Sequence, residues 1–424
     1  VIKRKTAIPG PKSAKVITTF RKVCGVWNIP YPFVHAGKGS GAYYEDLDGN
    51  VFLDFASQIT SNPLGYNHPE LTAVVRSYQD FPIKYAGQDF LVPEHTELLT
   101  SLLSTTPLNA GFLINSGAEA VENAMKICTR SKPGSTFGIA FNNAFHGRTL
   151  GALSATHSKP VQKKGYLKIP MVHLPFDESA LDRLKELLKT RDSGKVGFII
   201  IECVQGEGGY HVAPKKLITG LRAMTKTYNI PFICDEVQAG MGRTGEWWAH
   251  NHFRITPDVF SAGKALQVAA TVAKKERFPK EAGAISSTWG GGHRLDLALG
   301  IKTIEIIKKQ KLLARNKRTG AYLQTRLTKI SGTQNVRGLG LMLAFDLTTP
   351  KFRDDVIIEC VKNGLLLLAC GDRGIRVIPP FIIEKHDIDE GLGVLEHAIS
   401  TCSRKQFKHT GKICHFMDCG SHTS

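Results

Sequence analysis

Short apolar runs recur through the middle of the chain, at residues 111–115, 137–141, 197–202, 231–235 and 258–261, and segments with helical spacing separate them. That alternation predicts an α/β unit on a mainly parallel sheet, because parallel strands are joined by crossovers and the crossovers are usually helices. Val121, Ala124, Met125 and Cys128 fall at helical spacing within 118–130, which predicts a helix with one face packed on the sheet. Ahead of this unit, residues 41–55 read as a hairpin around Asp48-Gly49-Asn50 and begin a smaller unit. After a helical stretch at 297–309, strand-like runs at 341–346 and 376–379 are separated by a helical segment and the run 364–369, which predicts a separate α+β unit.

Composition narrows the class without naming a chemistry. At 424 residues the chain is long for one core, so at least two packed units are expected. A hydrophobic share of 42% fits a folded globular protein, and no apolar run approaches the ~18 residues of a membrane span. No signal-peptide core is present, and the nine cysteines are scattered, some within apolar strands as at Cys203 and Cys234. Together these predict a cytoplasmic protein in a reducing compartment, with no membrane partner. The stretch up to Lys22 holds no acid, as in a transit peptide, but Pro9-Gly10-Pro11 interrupts the amphipathic helix such a peptide needs.

The formal charge is +18, from 55 Lys and Arg against 37 Asp and Glu. A basic surface can bind nucleic acid or anionic membrane, or it can concentrate phosphorylated and dicarboxylate ligands. The excess is spread along the chain with no nucleic-acid motif, which favours the second reading and no nucleic-acid partner. In the tail at 404–424, His409, Cys414, His415, Cys419 and His422 match no standard zinc spacing, so no metal is expected.

Candidate chemistry lies at the strand ends. In open α/β sheets ligands bind beyond the carboxyl ends of the strands. Glu202 ends one run, Asp235 ends the next, and Lys264 follows a third, so all three are expected at one crevice. Asn115-Ser116-Gly117-Ala118 joins a strand to a helix N-terminus, whose free N–H groups make an anion site. A lysine able to form a Schiff base, with an aspartate to keep a pyridine nitrogen protonated, is the protein equipment that pyridoxal 5'-phosphate requires.

With these residues in place, the chain resembles the class III aminotransferases of the fold-type I pyridoxal-phosphate enzymes. The matching segments, in the family's order, are Asn115 to Ala120, Phe145-His146-Gly147-Arg148-Thr149, Glu202 to Gly209, Asp235-Glu236-Val237-Gln238 with Gly242-Arg243-Thr244-Gly245, Gly263-Lys264-Ala265-Leu266, and Ser287-Thr288-Trp289-Gly290-Gly291. The resemblance implies a large domain with a mainly parallel seven-stranded sheet and a small α+β domain formed by both chain ends. The corresponding limits are 1–60 and 306–403 for the small domain, 61–305 for the large cofactor-binding domain, and 404–424 for an irregular tail.

The resemblance also implies roles. Lys264 would hold the cofactor covalently and then act as acid and base, and Asp235 would pair with the ring nitrogen. Ser116, Gly117 and Ala118 would cradle the phosphate. Phe145 and Val237 would cover the ring faces, and Gln238 would approach the phenolic oxygen. His146 and Glu202 are further cofactor-site residues, and Thr288 would reach the phosphate in a neighbouring subunit, which implies a homodimer. Arg376 would bind the α-carboxylate of glutamate or 2-oxoglutarate, and Glu207 would pair with that arginine when an ω-amino substrate is bound. Arg148 would take a distal carboxylate and Ile59 would line the pocket.

The implied reaction is ping-pong transfer of an amino group from a small-molecule donor to a 2-oxo acid. A 4-aminobutyrate-like donor with 2-oxoglutarate comes first, and ornithine or N-acetylornithine next. Racemases and an aminomutase of the same family share the first proton abstraction and remain alternatives. The chain departs from the pattern at Cys203, where proline is usual, and at Gln267-Val268-Ala269-Ala270, which replaces a glycine-rich stretch after the lysine.

Overall fold

The computed structural model describes residues 1–25, 31–80, 89–190 and 193–404; the expected tail lies almost wholly outside the described residues. Two compact units emerge, one comprising Val1–Pro69 with the chain from Arg318 onward, the other Glu70–Lys317. The sequence reading set these limits at 60/61 and 305/306. The second change of unit falls inside the helix Leu312–Thr328, where no break in composition marks it.

The large unit is built on seven strands: β1 (Ala110–Ile114), β2 (Phe137–Phe141), β3 (Met171–Leu174), β4 (Val196–Ile201), β5 (Phe232–Asp235), β6 (Val259–Ala262) and β7 (Ala269–Ala273). They lie in the order β1-β7-β6-β5-β4-β2-β3. Only β7 runs against its neighbours, pairing antiparallel with both β1 and β6. Strands β2, β4, β5, β6 and β7 are buried at every position, as expected where both faces of a sheet are covered.

Helix α1 (Gly117–Arg130) follows β1. Its buried Val121, Ala124, Met125 and Cys128 pack with Ala140, Phe198, Ile200, Ile233 and Val259 of the sheet. Ser116 is its N-cap, with Oγ accepting from Glu119 N–H at 3.2 Å. A short helix α2 (Leu150–Ala155) follows the loop after β2.

In the small unit, His35–Ser40, Tyr43–Asp46 and Val51–Asp54 form an antiparallel meander, and Leu365–Leu366 adds to it in parallel. The hairpin expected at 41–55 is the second and third of these strands. A second, antiparallel sheet has the order Gln334–Leu339, Met342–Asp346, Gly374–Val377, Leu368–Cys370. Among the described residues, no helix is long and apolar enough to cross a membrane.

Candidate active site

Asp235 ends β5 and is buried. Its Oδ2 lies 2.8 Å from Nδ1 of buried His146, and its Oδ1 accepts from Ser261 Oγ at 2.9 Å and Val237 N–H at 3.1 Å. His146 is fixed in turn, because its backbone N–H donates to Thr156 Oγ1 at 2.9 Å. Burial works against a charged imidazole. The hydrogen bond to Asp235 and the charges of Asp235 and Glu202 outweigh it, so the proton affinity of His146 is raised.

Glu202, just past β4, accepts from Phe145 N–H and Gly206 N–H, each at 2.9 Å. Burial pushes its carboxyl up to about 7, with Asp235 adding to the rise and His146 and the two backbone donors opposing it. A protonated or ionised carboxyl here anchors both the Phe145 loop and the turn at Gly206.

Lys264 follows β6 in a single 3-10 turn, with a left-handed φ of +48° that is uncommon for a side-chain-bearing residue. The approach to it is crowded. A Cβ on Gly263 would sit 3.3 Å from Val237 Cγ1 and 3.6 Å from Gly117 Cα, and one on Gly117 would sit 2.7 Å from Val237 Cγ1. The lysine's turn, the residue two beyond Asp235 and the start of α1 therefore meet directly. Gln267 closes the turn at φ +70°, its backbone N–H donating to Lys264 O at 2.9 Å, before β7 leads away. The stretch in which the family's glycines are missing is thus one left-handed glutamine followed by a buried strand.

Other expected residues sort by unit. Gln238 lies against Gly206, where a Cβ would be 2.5 Å from its Oε1. The Arg148 guanidinium stacks over the Phe145 ring at 4.9 Å, so one ring face is already covered. Glu207 meets Lys159 Nζ at 3.5 Å and Gln162 Nε2 at 3.5 Å within its own unit. Thr288 is exposed, and the same loop is tied to the end of β1 by Gly292 N–H donating to Asn115 Oδ1 at 3.1 Å.

In the small unit, Arg376 is buried on the strand Gly374–Val377. Ile59, 41% exposed, stands on a left-handed turn at Ser57–Thr60. Asp54 Oδ1 holds that turn by accepting from the N–H groups of Ala56 and Ser57 at 2.7 and 2.8 Å.

The residues present suit pyridoxal phosphate. In the first turn of α1 the Glu119 N–H is capped by Ser116 Oγ, while the N–H groups of Gly117 and Ala118 have no partner within the helix, which makes this turn an anion site. His146 Nε2 and Gln238 Oε1 are buried with no hydrogen-bond partner among the described residues, leaving polar atoms for a ring bearing hydroxyl and nitrogen groups. The sequence reading missed Ser261 and Thr156, whose hydroxyls orient Asp235 and His146. Ordinary buried hydroxyl residues carry no pattern of their own.

Comparison with known proteins shows the family and the fold. The family description of class-III aminotransferases matches residues 26–399. The acetylornithine aminotransferase of Methanocaldococcus jannaschii is 33% identical over 380 residues, covering 86% of this chain and 92% of that protein. The 4-aminobutyrate aminotransferase of Dictyostelium discoideum is 32% identical over 443 residues, covering 92% and 89%. The solved lysine aminotransferase from M. tuberculosis in the internal aldimine form shares the fold, with a TM-score of 0.84 at 24% identity over 92% of this chain and 99% of that one. The chain belongs to the class-III aminotransferases and is a pyridoxal-phosphate-dependent enzyme of the fold-type I architecture.

Proposed function

We propose that this enzyme moves the terminal amino group of an ω-amino acid of the 4-aminobutyrate kind to 2-oxoglutarate, with Lys264 as its covalent anchor and proton carrier. The observation that carries the assignment of the site is the meeting of three segments, with Gly263, Val237 and Gly117 in mutual contact beside the Asp235–His146 pair. The relatives named for 4-aminobutyrate support the donor class.

Bound pyridoxal phosphate supplies an electron sink for the charge left when a proton leaves the substrate carbon. The rest of the chemistry belongs to the chain. Lys264 Nζ would hold the cofactor, and its amine, when free, would serve as the base and acid that moves the proton of the substrate carbon. Asp235 holds a proton at the ring nitrogen. His146, donating from Nδ1 to Asp235 Oδ2, holds that carboxylate in place. Ser116, Gly117 and Ala118 hold the phosphate, Phe145 and Val237 confine the ring, and Gln238 meets the phenolic oxygen. Glu202 fixes the Phe145 loop through its backbone.

Arg376 takes the α-carboxylate of glutamate or 2-oxoglutarate, since a guanidinium offers a carboxylate two parallel donors. Glu207 neutralises it in the other half-reaction. Arg148 receives the distal carboxylate, Ile59 lines the pocket, and Thr288 serves the neighbouring copy of a homodimer.

A second reading, N-acetylornithine or ornithine as donor, is favoured by relatives named acetylornithine aminotransferase at 31–33% identity. Steady-state kcat/KM for a panel of donors with 2-oxoglutarate separates the two. The proposal expects 4-aminobutyrate to lead with stoichiometric glutamate. A lead for acetylornithine or ornithine replaces the donor, and a racemised donor with no 2-oxo acid requirement overturns transamination.

A further inference from the structure

The anion turn at the start of α1 and the loop bearing Phe145 and Arg148 leave different strands, β1 and β2, that are not neighbours in the sheet. One carboxylate joins them. Glu122, in the second turn of α1, accepts at Oε1 from Thr149 Oγ1 at 2.6 Å and from Ala152 N–H at 2.9 Å. Thr149 is the N-cap of α2 yet caps it with no side-chain bond of its own, so Glu122 supplies from outside the acceptor that the first turn of α2 lacks. A carboxylate at a helix N-terminus is also favoured by the helix dipole.

The fit depends on a missing side chain. A Cβ on Gly151 would lie 2.3 Å from Glu122 Oε2 and 2.7 Å from Oε1. Gly151 lies within α2 and is absent from the positive-φ residues, so backbone freedom does not call for glycine there, whereas room for the carboxylate does. On the same loop, a Cβ on Gly147 would stand 2.7 Å from Ala118 Cβ, so the loop also rests on the first turn of α1.

We propose that Glu122 is a positioning residue of the cofactor pocket. It clamps the Phe145–Thr149 loop onto the helix whose N-terminus forms the anion turn, so that the contact to the cofactor ring and the contact to its phosphate are held as one rigid piece. The inference rests on the assignment of Ser116–Ala118 and Phe145 as cofactor contacts.

The test compares E122A, E122Q, G151A, E122A/G151A and F145A with the parent. The readouts are the cofactor dissociation constant, the visible circular dichroism of the bound cofactor, and the urea midpoint of the cofactor-free protein. E122A is expected to weaken cofactor binding on the order of tenfold, the worth of a lost helix cap, and to change the visible dichroism. In E122Q one amide oxygen still accepts both bonds, because both converge on Oε1, and most of the affinity returns.

Alanine for glycine inside a helix ordinarily stabilises it. Here the added methyl displaces the carboxylate, so G151A weakens binding when Glu122 is present and costs nothing further in E122A. Fully additive effects of the two changes overturn the clamp. So does an E122A protein with a lowered urea midpoint but unchanged affinity and dichroism. F145A with unchanged affinity and dichroism removes the underlying assignment of Phe145, a failure distinct from that of the clamp.

Discussion

Glutamine in place of Glu202 separates the electrostatics of this site from its packing. The parent carboxyl is buried and its proton is held up to about 7 against an ordinary 4.5. Between those values the native state binds more proton than the unfolded chain, so stability falls as pH rises through that window. A rise from 4.5 to about 7 corresponds to ~3 kcal/mol, at ~1.4 kcal/mol for each pH unit. The amide of E202Q cannot ionise, but its one carbonyl oxygen accepts from only one of Phe145 N–H, which bonds Oε2, and Gly206 N–H, which bonds Oε1, and its NH2 faces the other. Near about pH 5 the variant should therefore be less stable than the parent by about 1–3 kcal/mol, the cost of one backbone N–H left without its acceptor. Between about pH 5 and about pH 9 the difference should move in favour of the glutamine by ~3 kcal/mol. Urea titrations of the cofactor-free protein across that range measure it. A difference that stays flat with pH, or moves the other way, refutes the assignment of a raised, buried Glu202.

Two further outcomes follow from the same geometry. Alanine at His146 strips Asp235 Oδ2 of its buried partner and should destabilise the cofactor-free protein by about 3 kcal/mol. Because the His146 proton affinity is raised, that loss should be full below pH 6.5 and shrink as pH climbs through the folded-state value; a pH-independent loss in urea titrations counts against a charged pair. Alanine at Gly117 places a methyl 2.7 Å from Val237 Cγ1, so cofactor affinity measured by equilibrium dialysis should drop by about tenfold and partly recover in G117A/V237A. Unchanged affinity in G117A would show that the close approach is not needed.

The elements were legible where one physical signal dominated. The run at 137–141 is β2 residue for residue, because five consecutive apolar positions between turn residues have no other buried use. The helix read at 118–130 begins one residue earlier, where Ser116 caps it. Strands β3 and β7 went unread, since His173 interrupts one and three of the five residues in the other are alanines, which carry weak strand preference. The reversed direction of β7 leaves no trace in its period.

The same division holds for the site. Glu202, Asp235 and Lys264 could be found because strand ends are where an α/β sheet exposes its polar groups. Their partners could not. His146 meets Asp235 across 89 residues of chain and Thr149 meets Glu122 across 27, distances that only the folded sheet closes. Lys159 in front of Glu207 is of the same kind, an exposed lysine whose place depends on the path of its loop.

The central claim is that Lys264, among the chain's many lysines, holds the cofactor covalently. Borohydride reduction of the cofactor-loaded enzyme makes the lysine–cofactor bond permanent, and peptide mapping by mass spectrometry then locates it. The account predicts the added cofactor mass on the peptide containing Lys264, with that label and the visible absorbance of the bound cofactor both lost in K264A. Label on a different lysine, or an unchanged cofactor spectrum in K264A, would contradict it.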